Sequence, residues 1–264
     1  MIDNPRSPRV RAVAKLAKRS ARAETGLFLL EGPQALREAL AFRPELLVEV
    51  FAARGALERH PELARGLAAA GIAPEPVSDA VLEAMADTVT PQGVVAVCRC
   101  FPVAVEELLA GGPRLVAILH EVRDPGNAGT ITRAADAAGA DGVILTGRSV
   151  DVYNPKVVRS TTGSIFHLPI TQGGSLEDAA GAVRAAGLRV LAADIAGEEL
   201  PTLQGMLAEP TAWLFGNEAH GLADAELALA ERTVRVPIYG HAESMNLATA
   251  ASVCLYQSAF AQRG

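Results

Sequence analysis

At 264 residues, half of them hydrophobic, the chain has enough apolar material to bury one large domain or two small ones, which excludes disorder throughout. Its longest apolar runs, at 94–97 and 115–119, fall far short of the roughly 20 residues a membrane helix needs, and the first residues are charged, unlike a secretion signal; a soluble, cytoplasmic protein is expected. The net charge of −6 counts against a generic nucleic-acid binder, whose footprint is a basic domain.

That average hides an uneven distribution. Arg6, Arg9, Arg11, Lys15, Lys18, Arg19 and Arg22 lie together with no acidic residue among them, and Arg11, Lys15, Lys18 and Arg22 recur at helical spacing on one face. The run reads either as a phosphate-binding patch or as the solvated face of a surface helix. Between 28 and 97 the pattern alternates: a helix at 33–41, a strand at 46–51, a helix ending near Gly71, a helix at 78–86 and a strand at 93–99, which make a small α/β unit. Ser78 followed by Asp79 supplies an N-cap and an acidic first turn. The stretch 101–113, closing on Gly111-Gly112-Pro113, reads as a linker carrying a short helical segment. Two domains are therefore expected, 1–105 and 114–264, joined by residues 106–113. Cys98, Cys100 and Cys254 form neither a disulfide framework nor a zinc site at these spacings and read as buried or strand thiols.

Beyond the linker come five short β-rich runs, at 115–119, 142–145, 189–192, 212–215 and 233–236, most of them separated by Ala-rich helical patterns. Such alternation specifies a parallel sheet covered by helices on both faces. In open α/β sheets ligands bind beyond the carboxyl ends of the strands, and the loops there are unusual. After the first run, Asp124-Pro-Gly-Asn-Ala-Gly129 makes a tight turn into a helix that carries Asn127 and Arg133, and a helix start at a strand end attracts anions. The spacing is Gly-x-x-Gly, with no P-loop lysine, so neither a dinucleotide nor a nucleoside triphosphate site is supported. Arg133 is placed for a phosphate or ribose oxygen, or is an ordinary surface arginine. After the fourth run, Gly216-Asn-Glu218-Ala-His-Gly221 is a second glycine-bracketed turn; Gly216 permits close approach of a ligand to the backbone, and Glu218 is either a site carboxylate or one favoured by a helix dipole. The third stretch, Val234 to Ser252, joins a strand to a small-residue helix through a polar loop, with Ser244 the natural N-cap of that helix.

In order and spacing these three stretches resemble the signature motifs of the SpoU (TrmH-type) branch of the SPOUT RNA methyltransferases. Upstream, Phe28-Leu-Leu-Glu-Gly-Pro-Gln-Ala-Leu-Arg-Glu-Ala-Leu40 and Pro91-Gln-Gly-Val-Val-Ala-Val97 are similar to the substrate-binding domain that precedes the catalytic domain in many members. The resemblance implies more than composition gives: a C-terminal α/β parallel sheet with a deep trefoil knot, an exception to the rule that chains avoid threading, behind a small α/β RNA-binding domain. It further implies a homodimer, S-adenosylmethionine as cofactor, no metal, and methyl transfer to a ribose 2′-hydroxyl of RNA, ribosomal in preference to transfer RNA. Carried over by position, the cofactor pocket comprises Leu214, Phe215, Gly216, Val236, Ile238, Met245 and Leu247, with Met245 where leucine is usual. Arg133 becomes the catalytic arginine, with Asn127, Glu218, Ser244 and Asn246 shaping the site. Arg11, Lys15, Lys18 and Arg22 of the basic run, and Lys156 and Arg159 between the motifs, become RNA contacts, with plain surface charge as the alternative for the last two.

Two rivals belong to other classes. An RNA-binding protein without catalysis would lack motif residues, and none of Asn127, Arg133, Glu218, Ser244 or Asn246 is missing. A dinucleotide-dependent dehydrogenase would need the glycine fingerprint, which is absent. An RNA base methyltransferase of the related knotted branch would share the cofactor fold; Arg133 and Ser244-Met-Asn246 favour the ribose.

Overall fold

A computed structural model describes residues 1–264, apart from the side chain of Gln204. In chain order the first elements are α1 (Pro8–Lys15), α2 (Arg19–Thr25), β1 (Leu27–Glu31), α3 (Pro33–Phe42), β2 (Leu47–Ala53), α4 (Ala56–Arg59), α5 (Pro61–Ala69), β3 (Glu75–Val77), α6 (Asp79–Met85) and β4 (Val94–Arg99). There follow α7 (Val105–Leu109), β5 (Leu115–His120), α8 (Pro125–Ala137), β6 (Gly142–Thr146), α9 (Pro155–Thr161), β7 (Ile170–Gln172), α10 (Leu176–Ala185) and β8 (Arg189–Glu199). The last are α11 (Gln204–Leu207), β9 (Thr211–Phe215), α12 (Asp224–Leu227), β10 (Arg232–Arg235) and α13 (Leu247–Arg263). They form two units, residues 1–101 with 151–167, and residues 102–150 with 168–264.

The first unit is built on a four-stranded sheet in the order β1-β4-β2-β3, antiparallel except for the parallel pair β2 and β3. Val10, Val13 and Leu16 from the N-terminal segment pack with Leu29, Phe51, Val81, Leu82, Met85, Val95 and Val97 in its core. Ser78 caps α6 by accepting from the Val81 N–H, as its position predicts. The basic run does not form one helical face. α1 starts at Ser7, whose hydroxyl accepts from the Val10 N–H, and ends by residue 16; α2 begins at Arg19. Arg11, Lys15 and Lys18 are exposed, but Arg22 is only 4% exposed. Its Nη1 donates to the carbonyls of Leu16 and Ala17, and its Nε and Nη2 donate to Asp151 at 2.8 and 2.6 Å. Arg22 therefore closes the end of α1 from inside, and the expectation that it contacts RNA is withdrawn, because a guanidinium saturated in this way has no free face for a phosphate.

Residues 151–167, which the sequence places inside the C-terminal domain, fold with this first unit. Tyr153 and Phe166 join Phe28 and Phe101 in one aromatic cluster with ring centroids 4.9 to 6.5 Å apart. Arg159 is held by the nearly buried Glu31 carboxylate at 2.8 Å and by Asp87 at 2.9 Å, whereas Lys156 is exposed. His167 packs at a tilt against Phe42 and bonds to Glu38, a structural role.

The second unit carries a six-stranded, wholly parallel sheet in the order β10-β8-β9-β5-β6-β7. β6 and β9 are buried along their whole length, and β5 all but its last residue, as central parallel strands must be. Strand β7 and the long extension of β8 to Glu199 go beyond the five short runs. Trp213 on β9 is fully buried and donates from its indole N–H to Ser258 of α13 at 2.9 Å. Cys98 and Cys254 are buried, with burial pushing the Cys254 thiol up to about 12, so they are packing groups and not nucleophiles.

Candidate active site

Strand β5 ends at His120, and the chain turns abruptly through Glu121, whose φ of 55° is left-handed. Asp124 then caps α8, its Oδ1 accepting from the Asn127 N–H at 2.7 Å, and Pro125 occupies the first helical turn, where its missing N–H is harmless. This turn is bound to the loop that follows β9. Glu218 accepts from the main-chain N–H of Arg123 at 3.2 Å and of Asp124 at 3.0 Å, and from the Asn127 side-chain amide at 3.3 Å. Asn217 donates from its side chain to the Glu121 carbonyl at 2.8 Å and accepts from the N–H groups of Ala219 and His220. Glu218 thus serves no helix of its own; it holds the entrance to α8.

The third loop joins the same network. Asn246 donates from Nδ2 to the Asn127 Oδ1 at 3.0 Å, while its own Oδ1 accepts from the N–H groups of Ala248 and Thr249. Asn246 is therefore the N-cap of α13. This corrects the expectation for Ser244, which is exposed in the loop two residues earlier; the helix begins at Leu247, too late for a side chain at 244 to reach its first free N–H groups.

A cavity of about 390 Å³ lies along these loops, within the usual range for a small-molecule site. Val236, Ile238, Met245 and Leu247 form apolar walls, Ser244 lines it too, and Asp194 and Glu218 add carboxylates. Four of the seven expected cofactor residues line it. The other three, Leu214, Phe215 and Gly216, are buried and do not. At Gly216 the close approach is made by the chain itself: a Cβ there would come within 2.6 Å of Leu222 and 2.7 Å of the Gly221 carbonyl oxygen. Arg133 is exposed two turns into α8 from its cap, on the same helix that Asn127 anchors.

Several contributors escaped the sequence reading. Asp194 lies midway along β8, in the part of the strand that continues past the expected residue 192. Asn217 was within a recognised motif but without an assigned task. His120 bridges Thr146 at 2.9 Å and Glu226 at 3.0 Å, fixing the strand end to α12. Glu121 is held by Arg123 and by the Arg148 N–H, which keep its carboxyl at about 2, well below the ordinary range. Among the described residues no group of three or more His, Cys, Asp or Glu side chains is placed to hold a metal.

A parallel sheet whose carboxyl-end loops are laced together over an apolar cleft defines a ligand-handling α/β enzyme. The chain belongs to the SpoU rRNA Methylase family, whose model matches residues 114–256, and residues 7–96 match the MRM3-like substrate binding domain. It is 33% identical over 259 residues, 97% of each chain, to the 23S rRNA (guanosine(2553)-2'-O)-methyltransferase RlmP of Bacillus subtilis. It is 33% identical over 250 residues, 93% of this chain and 86% of the other, to the 23S rRNA (uridine(2479)-2'-O)-methyltransferase of Streptomyces viridochromogenes. A crystal structure of an AdoMet-bound rRNA methyltransferase from Sinorhizobium meliloti superposes with a TM-score of 0.84 at 30% identity, covering 97% of this chain and 96% of that one.

Proposed function

We propose that this protein transfers the methyl group of S-adenosylmethionine to a ribose 2′-hydroxyl of RNA, ribosomal in preference to transfer RNA. The observation that carries the reading is the unbroken chain Glu218–Asn127–Asn246, which ties the three motif loops together beside the cavity. The relatives named as 23S rRNA 2′-O-methyltransferases span nearly the whole chain, which supports ribose over base and RNA over a small molecule.

The cavity fits the cofactor. Val236, Ile238, Met245 and Leu247 offer apolar surface to an adenine ring and a thioether, and the carboxylates of Asp194 and Glu218 suit a ligand that carries a sulfonium and an ammonium charge. When bound, the cofactor supplies a methyl group on a positively charged sulfur, a good electrophile in a desolvated site. Leu214, Phe215 and Gly216 act from beneath, by fixing the loop that follows β9.

The acceptor hydroxyl is a very weak acid, so oxyanion character must be stabilised as its proton leaves. Arg133 does this as a permanently charged guanidinium: it hydrogen-bonds the 2′-oxygen and holds it toward the methyl donor while the proton departs to solvent. Glu218, already accepting three N–H bonds, stays anionic and holds the start of α8 in place. Asn127 and Asn246 set the position of the third loop, and Ser244 offers a hydroxyl at the cavity wall. Arg11, Lys15 and Lys18, with Lys156, supply cations for the RNA backbone from the substrate-binding domain. The same reading includes the trefoil knot, a homodimer supported by the outward-facing Tyr256 and Phe260 of α13, and a cytoplasmic location.

The test is transfer of labelled methyl from S-adenosylmethionine to unmodified total RNA, with wild type compared with Arg133→Ala. Label that resists alkaline cleavage and falls at least about 100-fold in the variant is the expected result; label on a base, or cofactor binding with no transfer to any RNA, overturns the reading.

A further inference from the structure

We infer that Arg123 and Arg148, joined through Glu121, form a phosphate-binding site that seats the RNA backbone beside the catalytic loop. The inference rests on RNA being the substrate.

Strands β5 and β6 are neighbours in register, His120 opposite Thr146, so Glu121 and the Gly147-Arg148 pair are the first residues past two adjacent strand ends. Glu121 pays for its place with a left-handed backbone, φ 55°, which a residue with a Cβ adopts only when its surroundings over-determine it. Here they do. Its carboxylate accepts from the Arg148 N–H at 2.7 Å and from the Arg123 guanidinium at 2.7 Å, with the Arg148 Nε at 3.5 Å, while its carbonyl accepts from Asn217. The partner strand end is shaped to admit the carboxylate: Gly147 is itself left-handed, and a Cβ there would lie 2.7 Å from the Glu121 Oε1.

The result is one carboxylate that holds the Arg123 guanidinium and the Arg148 main chain, with the Arg148 guanidinium alongside at 3.5 Å. Arg123, Arg148 and Glu121 by themselves sum to about +1; the neighbouring carboxylates of Glu218 and Asp124 are turned onto main-chain N–H groups at the start of α8, while the side chains of Arg123 and Arg148 are 56% and 83% exposed. Their outer N–H groups are open to an incoming anion, and planar guanidinium groups recognise phosphate oxygens in pairs. Arg123 also immediately precedes Asp124, the cap of the helix that carries Asn127 and Arg133, and its N–H is clamped by Glu218. A phosphodiester held there is fixed to the element that presents the catalytic arginine. A nucleobase or a carboxylate-bearing metabolite would leave unexplained why two exposed guanidinium groups flank one carboxylate beside the helix that carries Arg133.

The experiment measures binding of unmodified ribosomal RNA across a range of salt for wild type, Arg123→Ala, Arg148→Ala and Glu121→Gly, with S-adenosylmethionine affinity and thermal unfolding followed in parallel. Each arginine variant is expected to lower the slope of log K against log salt by about 0.7 to 0.9 and to raise the RNA KM roughly tenfold, with cofactor affinity unchanged. Glu121→Gly accepts the left-handed turn but releases both arginines, and is expected to keep the slope while weakening binding. Unchanged slope and KM in both arginine variants, with wild type methylating RNA, overturn the phosphate site. If wild type transfers no methyl to RNA at all, it is the proposed function that fails.

Discussion

Replacing Arg22 by alanine removes a charge that the structure places inside the first unit and the sequence places on its surface. The side chain is 3% exposed and its partner Asp151 12%. Deletion strands the Asp151 carboxylate, which keeps the Tyr153 N–H at 3.0 Å, and frees two carbonyls at the end of α1. Breaking a buried pair from one side costs about 3–5 kcal/mol; because Asp151 retains one bond and some solvent, the lower end, about 3 kcal/mol, is expected, against a total stability on the order of 5–15 kcal/mol. The loss is read by urea denaturation followed by circular dichroism, since the single tryptophan, Trp213, reports on the second unit. The double variant Arg22→Ala/Asp151→Ala removes the stranded charge and should show a coupling energy of about 1–3 kcal/mol. A loss below about 1 kcal/mol, with the salt slope of RNA binding reduced, would refute the reasoning and return Arg22 to the phosphate patch.

The Glu121 carboxyl, lowered from 4.5 to about 2 chiefly by its bond from Arg123 and then by the Arg148 N–H, contributes stability that is fully present above about pH 4.5 and is lost as pH falls toward 2. Melting temperatures between pH 5 and 2 should fall less steeply in Glu121→Gln than in wild type, and parallel curves would contradict the assignment. Gly216→Ala places a methyl group 2.7 Å from the Gly221 carbonyl oxygen, so the turn after β9 must open; a stability loss of about 1–3 kcal/mol is expected together with weaker S-adenosylmethionine binding by calorimetry. Loss of stability with full cofactor affinity would separate Gly216 from the cleft.

The sheet of the second unit is legible because its central strands are apolar from end to end, a pattern that only burial on both faces explains. β7 is not: Ile170-Thr-Gln172 is three residues long, two of them polar, and its pairing with β6 is a long-range event with no local signal. β1 and β3 fail for related reasons, one lying beside the helix-like run before it and the other containing Pro76. The allegiance of residues 151–167 could not be read either, because it is decided by Asp151 and Arg159 finding Arg22, Glu31 and Asp87 more than 70 positions away. The basic run misled for the same cause: periodicity places Arg22 on a face, but only the tertiary fold shows that the chain breaks between α1 and α2 and turns that arginine inward.

The three motif loops were legible because their residue types are chemically exclusive. Asn127 must donate to Glu218 and accept from Asn246, and it must fit within the first turn of a helix already capped by Asp124. A primary amide can do both at once; an ionised carboxylate has no proton to give Glu218, and a hydroxyl is too short to span the two loops. Asn246 is constrained likewise, since it caps α13 with its oxygen while its nitrogen reaches Asn127, a division of labour that Ser244, for all its capping propensity, cannot supply. What a sequence cannot reveal is the direction of such bonds, and so Glu218, read as a site acid or a helix-dipole partner, emerges as the acceptor of three N–H groups. It positions the start of the helix that bears Arg133.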